Sequence, residues 1–71
     1  MTIEKVKILT EYIKLDALLK FSALCGTGGE AKSAVQGGYV RVNGDICTQR
    51  GKKIHPGDRV SLGEETVEVI S

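Results

Sequence analysis

Tyr39-Val40-Arg41-Val42 alternates side chains and runs straight into Asn43-Gly44. Both of those residues tolerate the positive φ that a type I′ turn requires at its two central positions, so the dipeptide after an alternating run is the strongest short-range hairpin signal. Asp45-Ile46-Cys47 is then expected to return as the partner strand. A lone two-stranded hairpin is marginal in water, so other elements must cover it, and the whole chain offers only 71 residues. That length allows one small domain, spanning residues 1–71, which buries about 60% of the surface of its unfolded chain. A hydrophobic content of 41%, with no low-complexity stretch, suffices for a folded core.

The remaining chain divides cleanly. Ile3, Val6, Ile8 and Leu9 stand among charged residues with imperfect alternation, the pattern of an edge or outer strand. From Leu15 the spacing changes to Leu15, Leu18, Leu19 and Leu24, with Ala17 and Ala23 favouring a helix and Asp16 complementing the dipole at its first turn. Phe21 reads as a core residue of that helix. Cys25-Gly26 breaks it, and Thr27-Gly28-Gly29-Glu30 has capping-box spacing, in which the Thr27 hydroxyl and Glu30 carboxylate satisfy backbone donors reciprocally. The second helix carries Ala31, Ala34 and Val35 and stops at Gly37-Gly38. After the hairpin, Thr48 to Lys53 reads as a polar, basic loop. Pro56-Gly57-Asp58 turns the chain into Arg59–Leu62, and Gly63-Glu64-Glu65 turns it into Thr66–Ile70. The fold class is α+β: two helices on a small, mostly antiparallel sheet.

The net charge of +1 conceals a division. Between Tyr12 and Leu62 eight Lys or Arg face four Asp or Glu, a net of +4, whereas the flanks, with two against five, carry −3. A basic centre suits an anionic partner. Two cysteines do not make the dense framework of a small secreted domain. Charges at 4, 5, 7, 11, 14 and 16 interrupt any signal-peptide apolar run, so a reducing cytoplasm is the expected location. No stretch approaches the roughly 20 apolar residues of a membrane span.

In order and spacing these elements resemble the S-four RNA-binding domain, the α-L motif of small-subunit ribosomal protein four that many pseudouridine synthases and bacterial tyrosyl-tRNA synthetases also carry. The likeness runs from about Lys14 to Leu62 and is closest to short free-standing bacterial members. It rests on Lys14-Leu15-Asp16-Ala17-Leu18-Leu19, Thr27-Gly28-Gly29-Glu30-Ala31-Lys32, Gly38-Tyr39-Val40-Arg41-Val42-Asn43-Gly44 and Pro56-Gly57-Asp58. Each element is generic alone; four in this order are specific. Two residues depart from the family pattern. Gly28 stands where many members carry Arg, and Lys14 replaces the commoner Arg and loses its bidentate geometry.

The resemblance implies non-catalytic binding of structured RNA, such as rRNA or tRNA, with the two helices and the hairpin forming the RNA face. That places Lys14, Lys20, Lys32 and Arg41 on the face, with Thr27, Gly28 and Gly29 at a helix start whose backbone N–H groups can approach a phosphate. Arg50-Gly51-Lys52-Lys53 would extend it as a flexible arm. Ordinary solvated charge remains the simpler reading of Lys5, Lys7, Lys20 and Arg59, and helix capping that of Thr27 and Glu30. Phe21, Tyr12 and Tyr39 are too few and too dispersed for a single-strand stacking platform. His55 is alone, and Cys25 and Cys47 lack ligand spacing, so no metal, cofactor or catalytic constellation is expected and both thiols read as apolar packers. The partners expected are folded RNA and, with it, the ribosome or an RNA-processing protein, met by a monomer with no membrane role. The alternative is a small protein-interaction adaptor. A sulfur carrier would end in Gly-Gly, and this chain ends Val69-Ile70-Ser71.

Overall fold

The computed structural model describes residues 2–71. The elements run β1 (Thr2–Lys7), β2 (Ile13–Lys14), α1 (Leu15–Phe21), α2 (Gly28–Gln36), β3 (Val40–Val42), β4 (Asp45–Ile46), β5 (Lys53–Ile54), β6 (Arg59–Leu62) and β7 (Glu65–Ile70). Five strands form one sheet in the order β1-β7-β6-β3-β4, and β2 pairs with β5 in a separate two-stranded sheet. Every pairing is antiparallel except β1 with β7. This is the α+β architecture expected from the sequence.

One face of the large sheet carries Val6, Val40, Val42, Val60, Val67 and Val69, and these join Leu15, Leu18, Leu19, Ala31 and Val35 of the helices in a single core. Alternation explains the imperfect pattern of the first strand: Val6 and Ile8 are buried, Ile3 points outward, and Leu9 lies beyond the strand in solvent. At the hairpin, Asn43 and Gly44 have φ of 52° and 90°, both positive as the type I′ reading requires.

The first helix is shorter than its apolar spacing suggested. It ends at Phe21 because Ala23, expected to extend it, instead takes φ 62°, a left-handed conformation usually left to glycine. The Ala23 N–H donates to the Lys20 carbonyl and the Cys25 N–H to that of Leu19, which closes the helix end. This early stop also corrects the reading of Phe21. It is the last residue of α1, past the Leu15-Leu18-Leu19 stripe, and is 65% exposed. At the capping box, the Thr27 hydroxyl accepts from the Glu30 N–H (3.1 Å) as expected, but the Glu30 carboxylate reaches one residue further back, to the N–H of Gly26 (3.0 Å).

The two generic turns prove to be one joint. Asn43 donates its side-chain amide to Asp58 Oδ1 (3.2 Å) and accepts the Arg59 N–H on its Oδ1 (2.9 Å), while its backbone N–H meets the Arg59 carbonyl at 2.8 Å. Asp58 Oδ2 in turn accepts the His55 N–H at 2.8 Å. The same turn holds β7, because the Gly57 N–H donates to the Val69 carbonyl and the Val69 N–H to that of Asp58. The His55 N–H bond, with the Asn43 amide and nearby His55 and Lys52 charge, holds the Asp58 carboxyl below its usual range despite partial burial. A depressed native pKa means stability present above the unfolded value of about 3.9 and lost as pH falls through the folded one. Asp58→Ala is therefore expected to destabilise the fold by about 1–2 kcal/mol near neutral pH. In urea unfolding followed against pH, the gap between the two proteins should close below pH ~3 as the wild-type carboxyl protonates.

Candidate nucleic-acid interface

A seven-residue helix needs partners for its first N–H groups, and the residue preceding α1, Lys14, supplies no side-chain cap. Backbone carbonyls from a distant segment do so instead. The Leu15 N–H donates to the Lys52 carbonyl (2.9 Å) and the Asp16 N–H to that of Arg50 (3.1 Å). The stretch expected to be a flexible arm is thus a strap fastened across the start of α1, and its last residues form β5. In the β2–β5 pair Ile13 faces Ile54 and Lys14 faces Lys53. Ile54 is fully buried and Ile13 packs against the core, so the two lysines leave together from the opposite, solvent face.

Directly opposed side chains on a strand pair have Cβ atoms about 5 Å apart, and like charges at that separation repel. Nothing acidic offsets them: among the described residues Arg59 alone of the Lys and Arg side chains has a carboxylate within 4.0 Å, that of Glu68 at 2.9 Å. Lys53 leans its ammonium 4.8 Å from the Tyr12 ring centroid, an exposed cation–π contact of about 0.5–1 kcal/mol. Arg50 and Lys52 flank the pair, and both are exposed. The arrangement is a cluster of four uncompensated cations on a backbone held in place.

A second group lies where α1 meets α2. The Lys20 stem runs beside Gly28, whose Cβ, if present, would meet Lys20 Cδ at 3.9 Å. Lys32 is one turn into α2, exposed like Lys20, Thr27, Gly28 and Gly29. The Thr27 hydroxyl and carbonyl accept from the Glu30 and Ala31 N–H groups, so the N–H groups of Gly28 and Gly29 have no protein acceptor among the described residues. The Glu30 carboxylate beside this turn tempers its positive potential. Burial first, and the Glu30 charge second, push the Cys25 thiol above its ordinary value. It stays protonated at neutral pH and is a poor nucleophile. Cys47 is half-buried, its thiol 3.7 Å from the Gln49 carbonyl.

Arg41 stands apart from both groups. Its neighbours Val40 and Val42 are buried against the helices, so Arg41 projects from the far face of the sheet, between Ser61 and Ile46. The Arg59–Glu68 ion pair occupies that same outer face. Sequence reasoning missed the β2–β5 bridge and the Tyr12 ring beneath Lys53. The signal available was a mirror symmetry, Ile13-Lys14 against Lys53-Ile54, which an antiparallel pair turns into one apolar and one basic face.

A sequence profile of the S4 domain matches residues 6–70, nearly the whole chain. Two relatives are 33% identical over 60 residues, a match covering 84% of this chain and 86% of each relative. They are "Putative RNA-binding protein YbcJ" of Escherichia coli (strain K12) and "Uncharacterized protein YbcJ" of Shigella flexneri. The helix pair, the Asn43–Asp58 joint and the sheet all fall within the matched span, and the chain belongs to the S4-domain family.

Proposed function

We propose that this protein binds folded RNA through its phosphate backbone, without catalysing a reaction on it. The carrying observation is the Lys14–Lys53 pair with Arg50 and Lys52: like charges held opposite one another with no acidic partner, on a strap that α1 needs for its own start. Such a cluster relieves its self-repulsion by taking up an anion, and a polyanion with repeated phosphates releases counterions as it binds. Lys20, Lys32 and the free N–H groups of Gly28 and Gly29 extend the contact surface along the helix pair. S4-domain membership, and the RNA-binding name of the Escherichia coli relative, agree with this reading.

The target class is structured RNA, rRNA or tRNA, since the exposed chemistry suits phosphate spacing and no row of aromatic rings is available to a long single strand. We infer a monomeric, cytoplasmic protein that acts on the ribosome or beside an RNA-processing enzyme. Arg41, on the opposite face, adds only long-range attraction.

With about three to five phosphate contacts, the logarithm of affinity should fall against the logarithm of salt with a slope of roughly −2 to −4. Lys14→Ala/Lys53→Ala should flatten that slope by about two units, whereas Arg41→Ala should change it by less than one. Filter binding of one rRNA hairpin at several salt concentrations measures both; an unchanged slope in the double variant contradicts the strap as the site. Gly28 has a negative φ and an open Cβ position, so Gly28→Arg fits its surroundings. That variant should bind several-fold tighter and steepen the slope by about one unit, and Lys32→Ala should do the reverse.

A further inference from the structure

Phe21 is the one large aromatic that the fold leaves in solvent without giving it an internal task. Tyr39, also exposed, lies over Gly37, where an added Cβ would sit 2.7 Å from its ring, and Tyr12 lies beneath Lys53. Phe21 instead edges a shallow apolar depression on the outer side of α1, lined with Ile13, Ala17 and Lys20. These positions repeat at helical spacing, so Ile13, Ala17 and Phe21 form one stripe with Lys20 along its side. The nearest acid in sequence, Asp16, spends its Oδ1 on the Ala17 N–H at 2.8 Å, and no carboxylate lines the depression. One end of the stripe is the Lys14–Lys53 pair, two helical turns from Phe21, or about 10 Å along the axis.

An apolar floor beside an aromatic ring, with lysines at one side and one end, matches one ligand chemistry closely: a flat nucleobase whose own backbone is anionic. The geometry points to Phe21 as a stacking surface for a single unpaired base of the bound RNA, with Lys20 on that nucleotide's phosphate and Lys14 and Lys53 on the neighbouring strand. This rests on the RNA-binding reading and narrows it. The preferred target is a duplex region interrupted by one extruded nucleotide, because one ring accommodates one base and an unpaired base carries the smallest unstacking cost. Charge complementarity selects this occupant over an apolar peptide, which has no use for the flanking lysines.

The test uses the full chain and two RNA hairpins, identical except that one carries a single bulged 2-aminopurine. Wild-type protein should bind the bulged RNA about tenfold more tightly than the fully paired one and quench the 2-aminopurine fluorescence. Phe21→Ala and Phe21→Leu should both lose the preference and the quenching, Phe21→Trp should keep them, and none should unfold, since the side chain is 65% exposed. Lys53→Ala should weaken both RNAs alike. If the Phe21 variants match wild type while Lys53→Ala still weakens binding, the stacking site is overturned and the phosphate reading stands. If Phe21→Leu behaves as wild type where Phe21→Ala does not, the contact is merely apolar, as for a protein segment, and stacking is again overturned. Failure of wild-type protein to bind either RNA removes both.

Discussion

A short helix begins with backbone N–H groups that nothing inside it can satisfy, and here the carbonyls of Arg50 and Lys52 take the first two of them. Side-chain capping would contribute about 1 kcal/mol at such a position, and Lys14 contributes none. Burial of Leu15, Leu18 and Leu19, worth roughly 1.5–3 kcal/mol each, more than offsets the omission. It also ties the cost of losing the strap to the whole core. The functional consequence is positional. Because the strap's backbone serves α1, its side chains are free, and all three of its cations leave toward solvent next to Lys14.

The Asn43–Asp58 joint does for the sheet what the strap does for the helix. It fixes the hairpin to β6 and the Pro56-Gly57-Asp58 turn to β7, with the Asp58 negative charge turned inward to backbone and amide donors. Acidic groups that line a surface depression lie elsewhere, where Glu4, Glu64 and Glu65 meet Ser22, Ala23 and Leu24. The charge division visible along the chain thus becomes a division in space, with Glu68 further consumed by Arg59 on the outer sheet face.

The sequence disclosed those features that depend on neighbours and turns. Asn43-Gly44, Thr27-Glu30 and the valine alternation each specify local geometry, and the hairpin, the second helix and the core strands follow from them. It hid what depends on distant backbone. The β2–β5 pair has only two residues per strand, too few for any periodicity, so the Arg50–Lys53 stretch looked like an untethered loop. Phe21 looked buried because an apolar helical spacing says nothing of where the helix stops, and Ala23 stops it by adopting a conformation that alanine seldom takes. Arg41 shows the opposite limit: alternation correctly put its side chain across from Val40 and Val42, but only the register of the sheet reveals that this is the face away from the helices.

The interface can be tested residue by residue with amide chemical-shift mapping of the labelled protein as a folded RNA hairpin is added at low salt. If RNA lies on the strap and helix pair, the amides of Lys14, Lys52, Lys53, Gly28 and Gly29 shift progressively, while those of Lys5, Arg59 and Glu68 on the outer sheet face stay in place. Shifts concentrated on the outer face around Arg41 and Ser61, with the strap unmoved, would contradict the proposed interface outright.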